Sequence, residues 1–102
     1  MPSSPDPHPQ WEVRASGAVF SRLRELQRQA SREGRGDEFL EAVRQVYQNL
    51  RNQPTSFGEP LYRLPTLRLQ VRSGAVRPLF VNFAVSEDRP LVFIKGVKLL
   101  GR

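Results

Sequence analysis

The sequence predicts an α+β domain: a short strand, a helical hairpin and a three-stranded antiparallel meander, in the order βααβββ. Three observations carry this reading. Apolar residues recur at helical spacing between Val19 and Leu50. Apolar and polar residues alternate at period two from Leu67 to Arg72. Dense apolar runs follow at Val76–Val85 and Leu91–Ile94, as in strands covered on both faces. The length of 102 residues suits one domain with a single modest core.

The elements follow in order. Residues 1–10 hold four prolines and two serines with almost no apolar content, and are expected to form a disordered tail ahead of a single domain over 11–102. Trp11, Val13 and Ala15 alternate with Glu12, Arg14 and Ser16, a first strand joining the sheet. Ser16 is placed to cap a helix starting near Gly17, whose stripe is Val19, Leu23, Leu26 and Ala30 with Phe20 beside it. Arg22, Arg24, Arg28 and Arg32, relieved by Glu25 and Glu33, read as its solvated outer face. Gly34 and Gly36 break that helix, and Asp37 is expected to cap a second one. Phe39, Leu40, Val43, Val46, Tyr47 and Leu50 mark its apolar stripe, with Glu38 and Glu41 early and Arg51 late, as the macrodipole favours. Asn52-Gln53-Pro54 ends it, and residues 54–65 read as a connection punctuated by Pro and Gly. The meander then runs from Leu67 to Leu100, turning at Ser73–Val76 and at Ser86–Pro90. Pro78 lacks a ladder donor, so the third strand needs a bulge or an unpaired edge there. The helices are expected to cover one sheet face and leave the other available.

Several classes of chemistry are excluded. There is no cysteine, so no disulfide or thiolate metal site. The single histidine, His8, lies in the proline-rich tail, and no metal-ligand constellation or small-molecule cofactor motif is present. No apolar run approaches the roughly 20 residues of a membrane helix, and the start MPSSPDPHPQ is not a secretory signal. These absences are compatible with the cytoplasm.

Charge is unevenly divided. Residues 1–59 carry eight arginines and eight acids, whereas residues 60–102 carry Arg63, Arg68, Arg72, Arg77, Arg89, Lys95, Lys98 and Arg102 against Glu87 and Asp88. The net charge of +6 therefore belongs to the strand half. A cationic half-domain points to an acidic or polyanionic partner. The alternative is a solvated sheet face in an arginine-rich chain, since arginine outnumbers lysine fourteen to two.

In LRLQVRSGAVRPLFVNFAV, in the GEPLYRLPTLRLQV that leads into it and in LVFIKGVKLL, the chain resembles the RelE/ParE superfamily of toxins from type II toxin–antitoxin systems. The likeness spans Trp11 to Leu100. It implies a cytoplasmic toxin held by a cognate antitoxin, with mRNA on the ribosome or DNA gyrase as target. RelE-like members are metal-free mRNA endoribonucleases (mRNA interferases), in which the ribose 2′-OH attacks the adjacent phosphorus. Guanidinium groups suit the charge that gathers on the phosphoryl oxygens. By resemblance the catalytic set is Arg77, the arginine after the turn, with Arg68 and Arg102. The RNA-binding set is Arg68, Gln70, Arg72, Arg77, Lys95 and Lys98. Gln70 stands where RelE-type members carry a second basic residue, Leu100 where they carry an arginine, and no tyrosine follows the last strand. The alternative within the resemblance is a non-catalytic protein of the same fold, either a gyrase-type inhibitor or a toxin-like binding domain.

Overall fold

A computed structural model describes residues 10–101. The elements are β1 (Glu12–Ala15), α1 (Gly17–Arg32), α2 (Gly36–Asn52), β2 (Glu59–Leu64), β3 (Leu69–Val76), β4 (Leu79–Ser86) and β5 (Leu91–Leu99). The expected tail as far as Pro9, with His8, and Arg102 fall outside the described residues. The strands form one sheet in the order β1-β5-β4-β3-β2. Consecutive strands from β2 to β5 pair antiparallel, while β1 lies parallel to β5 after the helical crossover. The result is an α+β domain with two helices and a mixed five-stranded sheet.

Ser16 caps α1 as expected, its hydroxyl accepting from the Val19 amide at 3.2 Å. α2 starts differently from expectation. It begins at Gly36 with Arg35 in the cap position and no side-chain cap, and Asp37 lies in the first turn. The reason is the tight reversal through Gly34, at φ 75°, which carries the Arg35 amide onto the Ala30 carbonyl at 2.7 Å. Arg35 is itself buried. It pairs with Glu33 and donates to the Leu100 carbonyl at 2.8 Å, tying the inter-helix turn to the end of β5.

The helices bury Val19, Leu26 and Ala30 of α1 and Phe39, Ala42, Val46 and Leu50 of α2 against Leu79, Val81, Phe83, Val85, Val92 and Val97 of the sheet. Leu40 and Tyr47, expected on the α2 stripe, stand about half exposed, as does Phe20.

Two readings of the strand half are corrected. The segment expected as a plain connection contains β2, which pairs with β3 along the sheet edge. Pro60 is tolerated there because an edge strand has a side that needs no donor. Every β2 residue but Leu64 is exposed, so the strand carries no alternation to read. The turn expected at Ser73–Val76 lies later: β3 runs on to Val76, and the chain reverses at Arg77-Pro78 through a cis peptide bond. Pro78 thus sits ahead of β4, in neither a bulge nor a ladder.

Residues directly opposite one another across a strand pair share a sheet face. The ladders therefore sort the strand half cleanly. Gln70, Arg72, Gly74 and Val76 face the helices with Val85, Phe83, Val81 and Leu79. Leu69, Val71, Ser73 and Ala75 share the other face with Ser86, Ala84, Asn82 and Phe80.

Candidate nucleic-acid interface

The face turned away from the helices is organised in cross-strand rows. One row runs Tyr62, Val71, Ala84, Phe93, Arg14 from β2 across to β1. The next holds Glu59, Ser73, Asn82 and Gly96, and a third holds Ala75, Phe80 and Lys98. Two register shifts shape this surface. One, between Pro60 and Tyr62, brings the Tyr62 ring onto it. The other, beside Asn82 and Phe83, makes Lys95 the extra residue of β5.

Both lysines of the chain work on this face. Lys95 reaches over β4 and β3 and donates to the Tyr62 phenol oxygen at 3.3 Å. Beneath that bridge Val71 and Ala84 are only 2% exposed, although neither belongs to the helix-side core. Lys98 lies 5.5 Å from the centroid of the Phe80 ring, within the range of a cation–π contact. Tyr62 remains 51% exposed, while Phe80 and Phe93 are half-buried. The acids of this face sit at its margins. Glu12 is tied to Arg14 at 2.7 Å, and Glu59 stands on the β2 edge. Between those margins the surface offers aromatic rings, short polar side chains and two ammonium groups, a combination compatible with single-stranded nucleic acid.

The expected arginines are dispersed. Arg68 is exposed in the turn before β3, at φ 52°, near Glu87. Arg77 is exposed in the turn after β3, donating to the Gly101 carbonyl at 3.4 Å. The eight residues of β3 part them by about 27 Å, so they cannot grip one phosphoryl group together. Arg72 is only 5% exposed and lies on the helix side. Its guanidinium donates to the carbonyls of Phe57 and Gly58, each at 3.2 Å, and to the Gln70 side-chain oxygen at 3.1 Å. The strand reading, which puts Arg68 and Arg72 together on a wet sheet face with Arg77 just beyond it in one RNA-binding set, is therefore corrected. The alternation that set it counted Arg68 within the strand, whereas β3 starts at Leu69, and it took the Arg72 side of β3 for the wet one. Gln70 is turned the same way as Arg72. Lys95 and Lys98 do lie on the open face.

Other ion pairs fix the frame around this surface. Arg63 holds Glu87 through two hydrogen bonds of 2.5 and 2.7 Å, fastening β2 to the β4–β5 loop. Hydrogen bonding from Arg63, helped by its charge and that of Arg68, draws the Glu87 carboxyl below its ordinary value. Arg77 also borders a shallow cleft of about 350 Å³ with Gly34, Arg35, Glu38 and Gly101. The carboxylate of Glu38 there weakens any claim of that cleft on an anion. On the helix side, Val13, Phe20, Leu23, Val43, Tyr47 and Ile94 line an apolar groove of about 160 Å³. Among the described residues no helix is long and apolar enough to cross a membrane, and no group of three or more His, Asp or Glu is placed to hold a metal ion.

Tyr62, Phe80, Phe93, Ser73 and Asn82 were not singled out from sequence. For the β3, β4 and β5 residues the signal was present, because the strands set every second residue on this face. For Tyr62 it was not, since β2 has no periodic pattern and a bulge decides which way its ring points. The structure thus defines an α+β domain with a cationic, aromatic open sheet face. No family model, no curated protein and no solved structure matches the chain.

Proposed function

We propose that this protein is a toxin of the RelE/ParE type, acting in the cytoplasm, whose open sheet face binds single-stranded mRNA. The observation that supports the reading is the pairing of Lys95 with Tyr62 and of Lys98 with Phe80 on a face that lacks acids away from its margins. Aromatic rings accept unpaired bases by stacking while neighbouring cations take the phosphates. The exposed apolar residues Phe20, Leu40 and Tyr47 on the helices are the proposed seat of a cognate antitoxin segment, leaving the sheet face for the target.

Cleavage of the bound message is a second reading. The Tyr62–Lys95 contact favours it, because a phenol and an ammonium are proton-carrying groups set where the RNA would lie. Arg77 would then assist from the edge of the face rather than as a member of an arginine cluster. A protein target such as gyrase is the remaining alternative.

A translating extract tests the proposal. Adding the protein is expected to halt translation and to give ultraviolet crosslinks between mRNA and open-face peptides. Intact message with such crosslinks supports binding alone, and message cut within the translated region supports cleavage. Arrest without RNA crosslinks, or no arrest at all, would overturn the proposal.

A further inference from the structure

The middle row of the open face is built unlike its neighbours. Ser73, Asn82 and Gly96 present small or polar groups, with Glu59 closing the row at the β2 edge, whereas the rows on either side carry Tyr62, Val71, Ala84 and Phe93, or Ala75, Phe80 and Lys98. Successive residues on one face of a strand are about 7 Å apart, so the middle row forms a shelf with the Phe93 and Phe80 rings one row to either side. A methyl carbon added at Gly96 would meet nothing within 4 Å, which shows open space above that end of the shelf. Lys95 precedes Gly96 and Lys98 follows two residues later, both exposed.

Asn82 stands at the centre of the shelf, half-buried. Among the described residues its amide and the Ser73 hydroxyl have no hydrogen-bond partner. An amide offers one acceptor oxygen beside one donor nitrogen. That pair matches the amino group and adjacent ring nitrogen of adenine, which asparagine engages through two hydrogen bonds. In a single strand such edges are free to be read. We infer that the Ser73–Asn82–Gly96 shelf is a base-reading site, with Asn82 selecting an unpaired adenine of single-stranded RNA. The flanking rings support that base and its neighbour, and Lys95 and Lys98 take the phosphates on either side. This inference rests on the proposed RNA-binding role of the same face.

Fluorescence anisotropy with labelled oligo(A) and oligo(U) of equal length, at one salt concentration, tests it. The parent protein is expected to favour oligo(A) by about tenfold, within the discrimination a two-bond base contact provides. Asn82→Leu should bring the ratio close to one while leaving the salt dependence of oligo(U) binding unchanged. Asn82→Asp, which keeps the shape and removes the donor, should also lose the preference, and it carries the test if the leucine variant does not fold. Gly96→Val should weaken both RNAs by filling the shelf. A parent that binds both RNAs equally, or an oligo(A) preference that survives in the Asn82 variants, overturns base reading and leaves the RNA-binding role standing. A parent that binds neither RNA overturns both.

Discussion

Replacing Arg72 with alanine is expected to destabilise the fold by about 3 kcal/mol, read as a lowered urea midpoint. The guanidinium is nearly sealed from water and is held by two backbone carbonyls and the Gln70 amide, with no carboxylate paired to it among the described residues. Hydrogen bonds to a charged group are worth about 1.5–3 kcal/mol each in net terms, and truncation leaves the Phe57 and Gly58 carbonyls without this donor. Those carbonyls belong to the connection that lays Phe57 on Phe83, with ring centroids 5.8 Å apart. The same connection passes so close to β3 that a methyl carbon at Gly58 would fall 1.9 Å from the Ser73 carbonyl oxygen. Arg72 therefore fastens the entry to β2 and with it the strand that carries Tyr62. Arg68→Ala is the control, expected to change stability by no more than about 0.5 kcal/mol because the side chain is exposed. An Arg72→Ala protein as stable as the parent but weakened towards RNA would place that guanidinium on the ligand instead.

Changing Lys95 and Lys98 together to glutamine is expected to reduce single-stranded RNA affinity at least tenfold. It should also flatten the plot of log affinity against log salt by about 1.4, the value for two lost phosphate contacts on a single strand. Tyr62→Ala should cost about another 1–3 kcal/mol of binding, the usual worth of one stacked base. The lysine changes do not touch the helix-side core, so thermal stability should stay close to that of the parent, whereas Tyr62→Ala uncovers Val71 and should lower it modestly. The comparison that gives the result meaning is the triple variant of Arg24, Arg28 and Arg32 to glutamine. These arginines lie one turn apart on the outer side of α1 and make no ion pair among the described residues. If general basicity drove binding, the α1 triple would flatten the salt slope as much as the lysine pair does. If the sheet face binds, the triple leaves it nearly unaltered.

Much of the frame was legible because it depends on periodicity. The stripes Val19–Leu26–Ala30 and Phe39–Val46–Leu50 and the Ser16 cap all follow from local spacing, and the structure has them as read. Face assignment in the sheet was harder, for a physical reason. β4 has apolar residues on both sides, with Val81 and Phe83 facing the helices and Phe80 and Ala84 facing away, so pattern alone does not say which side is open. β3 sets the trap more firmly: Val71 is buried on the open side under the Lys95–Tyr62 bridge, while Arg72 is buried on the helix side against backbone carbonyls. A hydrophobic-in, charged-out rule inverts both. Only the pairing register, fixed by two bulges and by an edge strand without alternation, restores the order. The lysines were found because they belong to the cationic strand half of the chain, but their aromatic partners needed the sheet.

Backbone amide chemical-shift mapping with a single-stranded oligo(A) titrated into the labelled protein tests the location of binding most directly. RNA on the open face predicts saturable shifts at Ser73, Asn82, Phe93, Lys95, Gly96 and Lys98, with Leu26, Val46 and Leu50 of the helical core unmoved. Shifts confined to Arg24, Arg28 and Arg32 of α1, or to the cleft beside Arg77, with the open-face amides unchanged at saturation, would contradict it.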